Sequence, residues 1–141
     1  MAGEKTQKIY CWAIESDGLD VYMASSEKGA VRVGLGLGQG LDCINFFQGI
    51  FPGKNLIKNE ARNHLLLTSI KASLKGKPIQ GNLDMDIRWT PFQRLVLEAV
   101  SRIPPGETRT YGEVAAMTGV PKGARAVGQV MSRNPLPIIF P

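Results

Sequence analysis

Histidine and cysteine are scarce in this 141-residue chain: His64 stands alone, and Cys11 and Cys43 are the two thiols. They form no Cys-x-x-Cys pair, and no second ligand lies near His64 in sequence. Neither a zinc site nor a disulfide scaffold is expected, and all three read as ordinary packing or surface residues. No apolar run approaches the 18–20 residues of a membrane-spanning helix. The opening "MAGEKTQK" has no apolar core of a secretory signal. These absences predict a protein without a membrane association, placed in the cytoplasm, or in the nucleus of a eukaryote.

Acidic residues also thin out along the chain. Residues 1–86 hold ten Lys and Arg against nine Asp and Glu, whereas residues 87–141 hold seven against three. Six of those seven cations are arginine. A small, Arg-rich, basic half is what a polyanion binder presents, although a basic surface serving solubility has the same composition.

With 43% apolar and 21% charged residues the chain suits a globular fold. Three short apolar runs, 9–14, 19–25 and 30–37, are separated by "ESDG" and "SEKG". That is turn chemistry, so an antiparallel meander is predicted. "GLGLGQG" (34–40) fails the G-x-G-x-x-G pattern in both frames, so these glycines are expected to end a strand and turn the chain. Cys43, Phe46, Phe47 and Ile50 keep helical spacing behind a candidate N-cap, Asp42, with "PG" (52–53) as the stop. A longer helix is predicted over 57–75, with Leu66, Leu67, Ile70 and Leu74 on one face. "KGKPIQGN" (75–82) reads as a linker, with a domain boundary near residue 86.

The second half is marked more sharply. Thr90 and Pro91 open a helix over 90–103 as N-cap and first-turn proline. Its apolar stripe is Phe92, Leu95, Val96, Ala99, Val100 and Ile103. Thr110 and Glu113 form a capping box for a helix ending at Gly119. Pro121 is expected to start a third helix after about two residues, which suggests a helix-turn-helix. "IIF" (138–140) reads as a buried strand.

On that third helix Ala124, Val127, Gly128 and Met131 would face the core, while Lys122, Arg125, Gln129 and Arg133 line another side. The small residues Gly123, Ala124, Ala126 and Gly128 would allow close approach of a backbone or a nucleic acid. In a helix-turn-helix this second helix enters a groove, which places DNA binding ahead of a plain solvated face. Lys122 and Arg133, towards the ends, suit phosphate contacts. Arg125 lies where such helices meet bases or wedge into the stack. Tyr111, just after an N-cap, projects from a helix start.

The run "TPFQRLVLEAVSRIPPGETRTYGEVAAMTGVPKGARAVGQVMSRNPLPII" closely resembles the DNA-binding domain of the O6-alkylguanine-DNA alkyltransferases. The specific elements are "TPFQ", "IPPGET.TYGEVA", "GARAVG" and "NPLPII". Over residues 1–85 the resemblance rests on the meander-then-helices layout alone.

The resemblance implies an α/β (α+β) chain. Residues 1–86 would form a small, ribonuclease-like N-terminal domain with an antiparallel sheet and helices. Residues 87–141 would form a mainly helical domain with a helix-turn-helix set in the minor groove. It implies a monomer that works on double-stranded DNA containing O6-alkylguanine, without cofactor or metal. It flips the damaged base and takes the alkyl group irreversibly onto its own cysteine. Arg125 resembles the finger that enters the stack. Tyr111 resembles the tyrosine that promotes rotation and helps neutralise the leaving O6. Asn134 resembles the asparagine tying the turn to the active-site loop. Gln93 and Gly112 match positions where the backbone lies close to phosphate, and Lys122 joins the DNA-binding set. The family motif continues Pro-Cys-His-Arg, and Pro141 matches its proline. The nucleophile is not among these residues, so the chain as given is expected to be inactive in transfer. A non-catalytic alkyltransferase-like DNA sensor is the alternative, disfavoured by some 85 residues of N-terminal domain. A helix-turn-helix regulator is a weaker one, since "NPLPII" has no role in it.

Overall fold

The computed structural model describes residues 6–38, 40–77, 83–104 and 106–139. The chain divides into two compact units, Met1–Ile87 and Arg88–Pro141. The first is a sheet with helices and the second is helical, the α+β class expected from the sequence.

In the first unit β1 (Lys8–Ser16), β2 (Leu19–Ser26) and β3 (Gly29–Leu37) pair antiparallel as the predicted meander. Asp17 and Gly18 both take positive φ, 49° and 79°, the backbone of a primed hairpin turn whose twist matches its strands. Gly34 and Gly36 lie inside β3 rather than ending it, while Gly38 and Gly40 turn the chain with positive φ. Helix α1 (Cys43–Gln48) starts where expected, with the Asp42 carboxylate accepting from the Asn45 N–H at 2.7 Å. It covers one face of the sheet, where Ile9, Cys11, Tyr22, Ala24, Cys43 and Phe47 form a buried cluster. Residues 83–86 run back beside β3: the Ala30 N–H donates to the Asp84 carbonyl and the Asp86 N–H to the Ala30 carbonyl, both at 2.8 Å. A side chain at Gly29 would collide with Asp84 backbone, so that approach requires glycine.

The helix predicted over 57–75 is corrected. Asn55–Lys58 form β4, parallel to β1, which makes the sheet mixed, in order β3-β2-β1-β4. A 3-10 turn over Ala61–Asn63 then leads into α2 (His64–Leu74). "NLIK" is too short and too apolar for periodicity to separate strand from helix, and its partner strand decides. Leu66, Leu67 and Ile70 of α2 are buried as predicted, but Leu74, in the last turn, is exposed. Residues 78–82 of the predicted linker lie outside the described residues.

In the second unit α3 (Pro91–Ser101) opens with a complete capping box: the Thr90 hydroxyl accepts from the Gln93 N–H, and the Gln93 amide oxygen accepts from the Thr90 N–H. Leu97 is buried and Leu95 exposed, a rotation of the predicted stripe towards its neighbours. Helix α4 (Tyr111–Met117) has the predicted Thr110–Glu113 box. Helix α5 (Ala124–Ser132) begins three residues later than Pro121, and residues 118–123 form the connection to it. The positive φ of Gly119 ends α4, and a turn from Val120 to Gly123 precedes the first α5 hydrogen bond, from the Val127 N–H to the Gly123 carbonyl. Val96, Ala99, Val100, Val114, Ala115 and Val127 close the core of this unit.

The strand expected over 138–140 is replaced by bends and a turn across residues 135–139; Phe140 lies outside the described residues. Pro135 and Pro137 have no N–H to give a ladder, and Ile138 takes a positive φ of 79°, which no strand allows. Leu136 and Ile139 are nonetheless buried. Among the described residues no helix is long and apolar enough to cross a membrane.

Candidate nucleic-acid interface

The site residues expected from the sequence, Gln93, Tyr111, Gly112, Lys122, Arg125 and Asn134, all fall in the second unit. Thr110 caps α4, so the chain enters the helix at a defined angle and Tyr111 becomes its first residue. The Tyr111 side chain is 52% exposed. One side of its ring lies on α5: a Cβ placed on Gly128 would stand 3.1 Å and 3.2 Å from two ring carbons. Gly112 follows in the same first turn, half-buried.

Arg125 is exposed in the first turn of α5, one turn before Gly128 on the same helix face. The ion pair among the described residues joins Arg109 to Glu107, 3.8 Å apart. Lys122, Arg125 and Arg133 therefore carry charge that no described carboxylate neutralises. The predicted stripe is shortened, because Lys122 sits in the turn before α5 and Arg133 is its C-cap. Val127 is the fully buried member of the face assigned to the core, and Gly128 serves Tyr111 instead.

Asn134 stands beyond the end of α5, where its side-chain oxygen accepts from the Leu136 N–H at 2.9 Å. That bond holds the first bend of the 135–139 segment. Gln93 lies in the first turn of α3 with its amide committed to the cap. Tyr111 lies against α5 at Gly128, the helix whose first turn carries the exposed Arg125. Gln93 and Asn134 instead serve helix ends, at the start of α3 and after α5.

The two thiols lie in the first unit. Cys11 on β1 and Cys43 at the start of α1 are both buried, and the Cys11 thiol donates to Cys43 Sγ at 2.8 Å. Burial, above all, and then the neighbouring Cys43, push the Cys11 thiol far above the ordinary cysteine range. A sequence separation of 32 residues gave no sign of this contact, which the alignment of α1 over β1 creates. Among the described residues no group of three or more His, Cys, Asp or Glu is arranged to hold a metal ion.

Residues 91–141 match the family described as 6-O-methylguanine DNA methyltransferase, DNA binding domain. A methylated-DNA–protein-cysteine methyltransferase of Methanosarcina acetivorans is 37% identical over 106 residues, which span 73% of this chain and 68% of that protein. The constitutive methylated-DNA–protein-cysteine methyltransferase of Bacillus subtilis is 50% identical over 60 residues, 43% of this chain and 36% of that one. Among solved structures, the O6-methylguanine methyltransferase of Mycobacterium tuberculosis aligns with a TM-score of 0.67 at 26% identity, over 94% of this chain and 75% of its own. A structure titled as the Mycobacterium tuberculosis OGT in complex with DNA aligns with a TM-score of 0.66 at 26% identity, over 95% and 74%.

Proposed function

Because the chain belongs to the methylated-DNA–protein-cysteine methyltransferase family, we propose that it serves DNA repair by binding duplex DNA through its second unit and turning an O6-alkylated guanine out of the stack. The observation that carries this reading is the half-exposed Tyr111 ring resting on α5 at Gly128, three residues after the exposed Arg125, a cation without a described carboxylate.

Extruding a base costs a few kcal/mol, of which a damaged base, already poorly paired, needs less. A planar guanidinium in the vacated gap replaces part of the lost stacking and offers donors to the orphaned partner base. Arg125 is assigned that place. Tyr111 is assigned to the rotated nucleotide, where its hydroxyl donates to the purine as O6 gives up its alkyl group. Lys122, Gly112 and the backbone at Gln93 are assigned to phosphate, and Asn134 to holding the loop after α5.

In the transfer itself a thiolate forms the new S–C bond as the C–O6 bond breaks, and the guanine oxygen keeps the electron pair. Neither Cys11 nor Cys43 suits that work. Both are buried in the first unit, out of reach of a DNA base, and the Cys11 thiol, held protonated by burial, is a poor nucleophile besides. Residues 1–141 are therefore assigned the recognition half of the reaction: binding, flipping and holding.

Binding of residues 1–141 to matched duplexes with and without one O6-methylguanine tests this. Tighter binding to the lesion is expected, with the preference lost in Arg125→Ala. Mass spectrometry after incubation is expected to find no methyl on Cys11 or Cys43. Equal binding of both duplexes by both proteins would overturn the reading.

A further inference from the structure

We propose that Gly128 is a positioning residue: the missing side chain at this point of α5 is the seat of the Tyr111 ring, and it sets where the tyrosine stands relative to Arg125. The proposal rests on the roles given to Tyr111 and Arg125 above.

Glycine inside a helix is disfavoured relative to alanine, so its presence in α5 calls for a reason. Backbone conformation is not that reason, because Gly128 has no positive φ. Space is. The Tyr111 ring carbons lie 3.1 and 3.2 Å from where a Cβ would be, closer than side chains ordinarily approach. Elsewhere on the same helix alanine is used freely, at Ala124 and Ala126. Gly112 makes the contrast: a Cβ there would meet nothing nearer than Thr110 Oγ1 at 3.8 Å.

The seat has a defined address. Gly128 and Arg125 are three residues apart on one helix face, and side chains on a helix lean towards its N-terminus. The ring lies where the Gly128 side chain would lean, on the turn that leads back to Arg125. The aromatic and the cation leave the same strip of surface with a spacing fixed by helix geometry and by the absence of one methyl group. A methyl at 128 would lift the ring by a few tenths of an ångström, or tilt it. The surface would stay equally basic, but the tyrosine would no longer meet a base extruded beside Arg125 at the same angle.

The test is a double-mutant cycle on binding by residues 1–141, with Gly128→Ala, Tyr111→Ala and the double variant each measured on O6-methylguanine and plain duplexes. The readout is the ratio of the two affinities. Gly128→Ala is expected to lower that ratio on the order of tenfold, as small misplacements at a site do, while plain-duplex affinity changes less than twofold. The double variant should be no worse than Tyr111→Ala alone. Alanine favours the helix, so the variant should fold, and its circular dichroism and melting curve check this. In wild type the Gly128 Hα resonances should be shifted upfield by the ring and return to ordinary values in Tyr111→Ala. Loss of plain-duplex binding in Gly128→Ala, additive with Tyr111→Ala, would mean that the small residue serves close DNA approach, and the proposal falls. It also falls if Tyr111→Ala lowers the ratio and Gly128→Ala does not. If Tyr111→Ala itself leaves the ratio unchanged, the tyrosine's assigned role fails first and takes the seat's purpose with it.

Discussion

Phe46 occupies the space that a side chain at Gly34 would need. The Phe46 ring cannot simply turn aside, because it stacks on Tyr22 with centroids 4.0 Å apart and planes within 5°, and meets Phe47 edge-on at 5.0 Å. Gly34→Ala should therefore break the stack or lift α1 from the sheet, costing about 1–3 kcal/mol, as overpacking does. A lowered urea midpoint for the first unit, against a nearly unchanged one in Gly49→Ala, where a Cβ meets nothing within 4 Å and φ is negative, checks this.

Asn63 is fully buried and joins three segments. Its amide donates to the Tyr10 carbonyl at 3.0 Å and the Asn59 carbonyl at 2.9 Å, and its oxygen accepts from the Ser25 hydroxyl at 2.8 Å. Asn63→Ala leaves those groups without partners and should cost on the order of 3 kcal/mol. Ser25→Ala should cost less, because one bond of the three is lost. Equilibrium unfolding of both variants decides the ranking.

Cys11 and Tyr22 make the first unit sensitive to alkali. Burial is the main cause that raises each of their pKa values, with Cys43 assisting at Cys11 and Asp20 at Tyr22. The unfolded thiol ionises near its ordinary value of about 8.5 while the folded one stays neutral. Between those values the unfolded chain binds fewer protons, so stability is full below about pH 8.5 and falls as pH rises. Urea midpoints of wild type should drop from pH 8 to pH 10, and Cys11→Ala should flatten the drop. A thiol reagent should label neither cysteine in the native protein and both in denaturant.

The two helix caps of the second unit should act locally. Thr90→Ala removes the acceptor for the Gln93 N–H and should cost about 1 kcal/mol. Thr110→Ala should cost a similar amount, but it also frees the start of α4 and with it Tyr111. Thermal melts are expected to rank the two variants together, while lesion preference separates them.

Lys122 and Arg125 should differ in what they give to DNA. Lys122→Ala is expected to weaken lesion and plain duplexes alike and to reduce the slope of log affinity against log salt by about 0.9. Arg125→Ala should cost the lesion duplex more than the plain one. Binding isotherms at several salt concentrations test both.

Local signals made much of this chain legible. Asp42, Thr90 and Thr110 announced their helices because an N-cap acts within three residues of itself. The meander was readable because each of its strands meets its neighbour through a short turn. What escaped depends on partners distant in sequence. Asn55–Lys58 becomes a strand because β1 offers an edge. Cys11 meets Cys43 because α1 lies across β1. Gly128 gains its meaning from Tyr111, seventeen residues earlier. The turn over 135–139 was misread because apolar residues there are buried without a ladder, and apolarity alone cannot tell the two apart. The prolines at 135 and 137 were the available sign.

The parallel pairing of β1 with β4 also sets an order in time. Lys8 waits for Asn55, forty-seven residues later, before β1 has both its neighbours, whereas the Thr90 and Thr110 caps of the second unit close within three residues. Contacts between distant residues form slowly because a long loop must close first. In refolding followed by stopped-flow circular dichroism, helix signal should therefore precede sheet completion. On the ribosome, β1 emerges early and stays half-paired until the chain has grown past Lys58. For that interval its open edge is the part of the molecule most exposed to wrong partners.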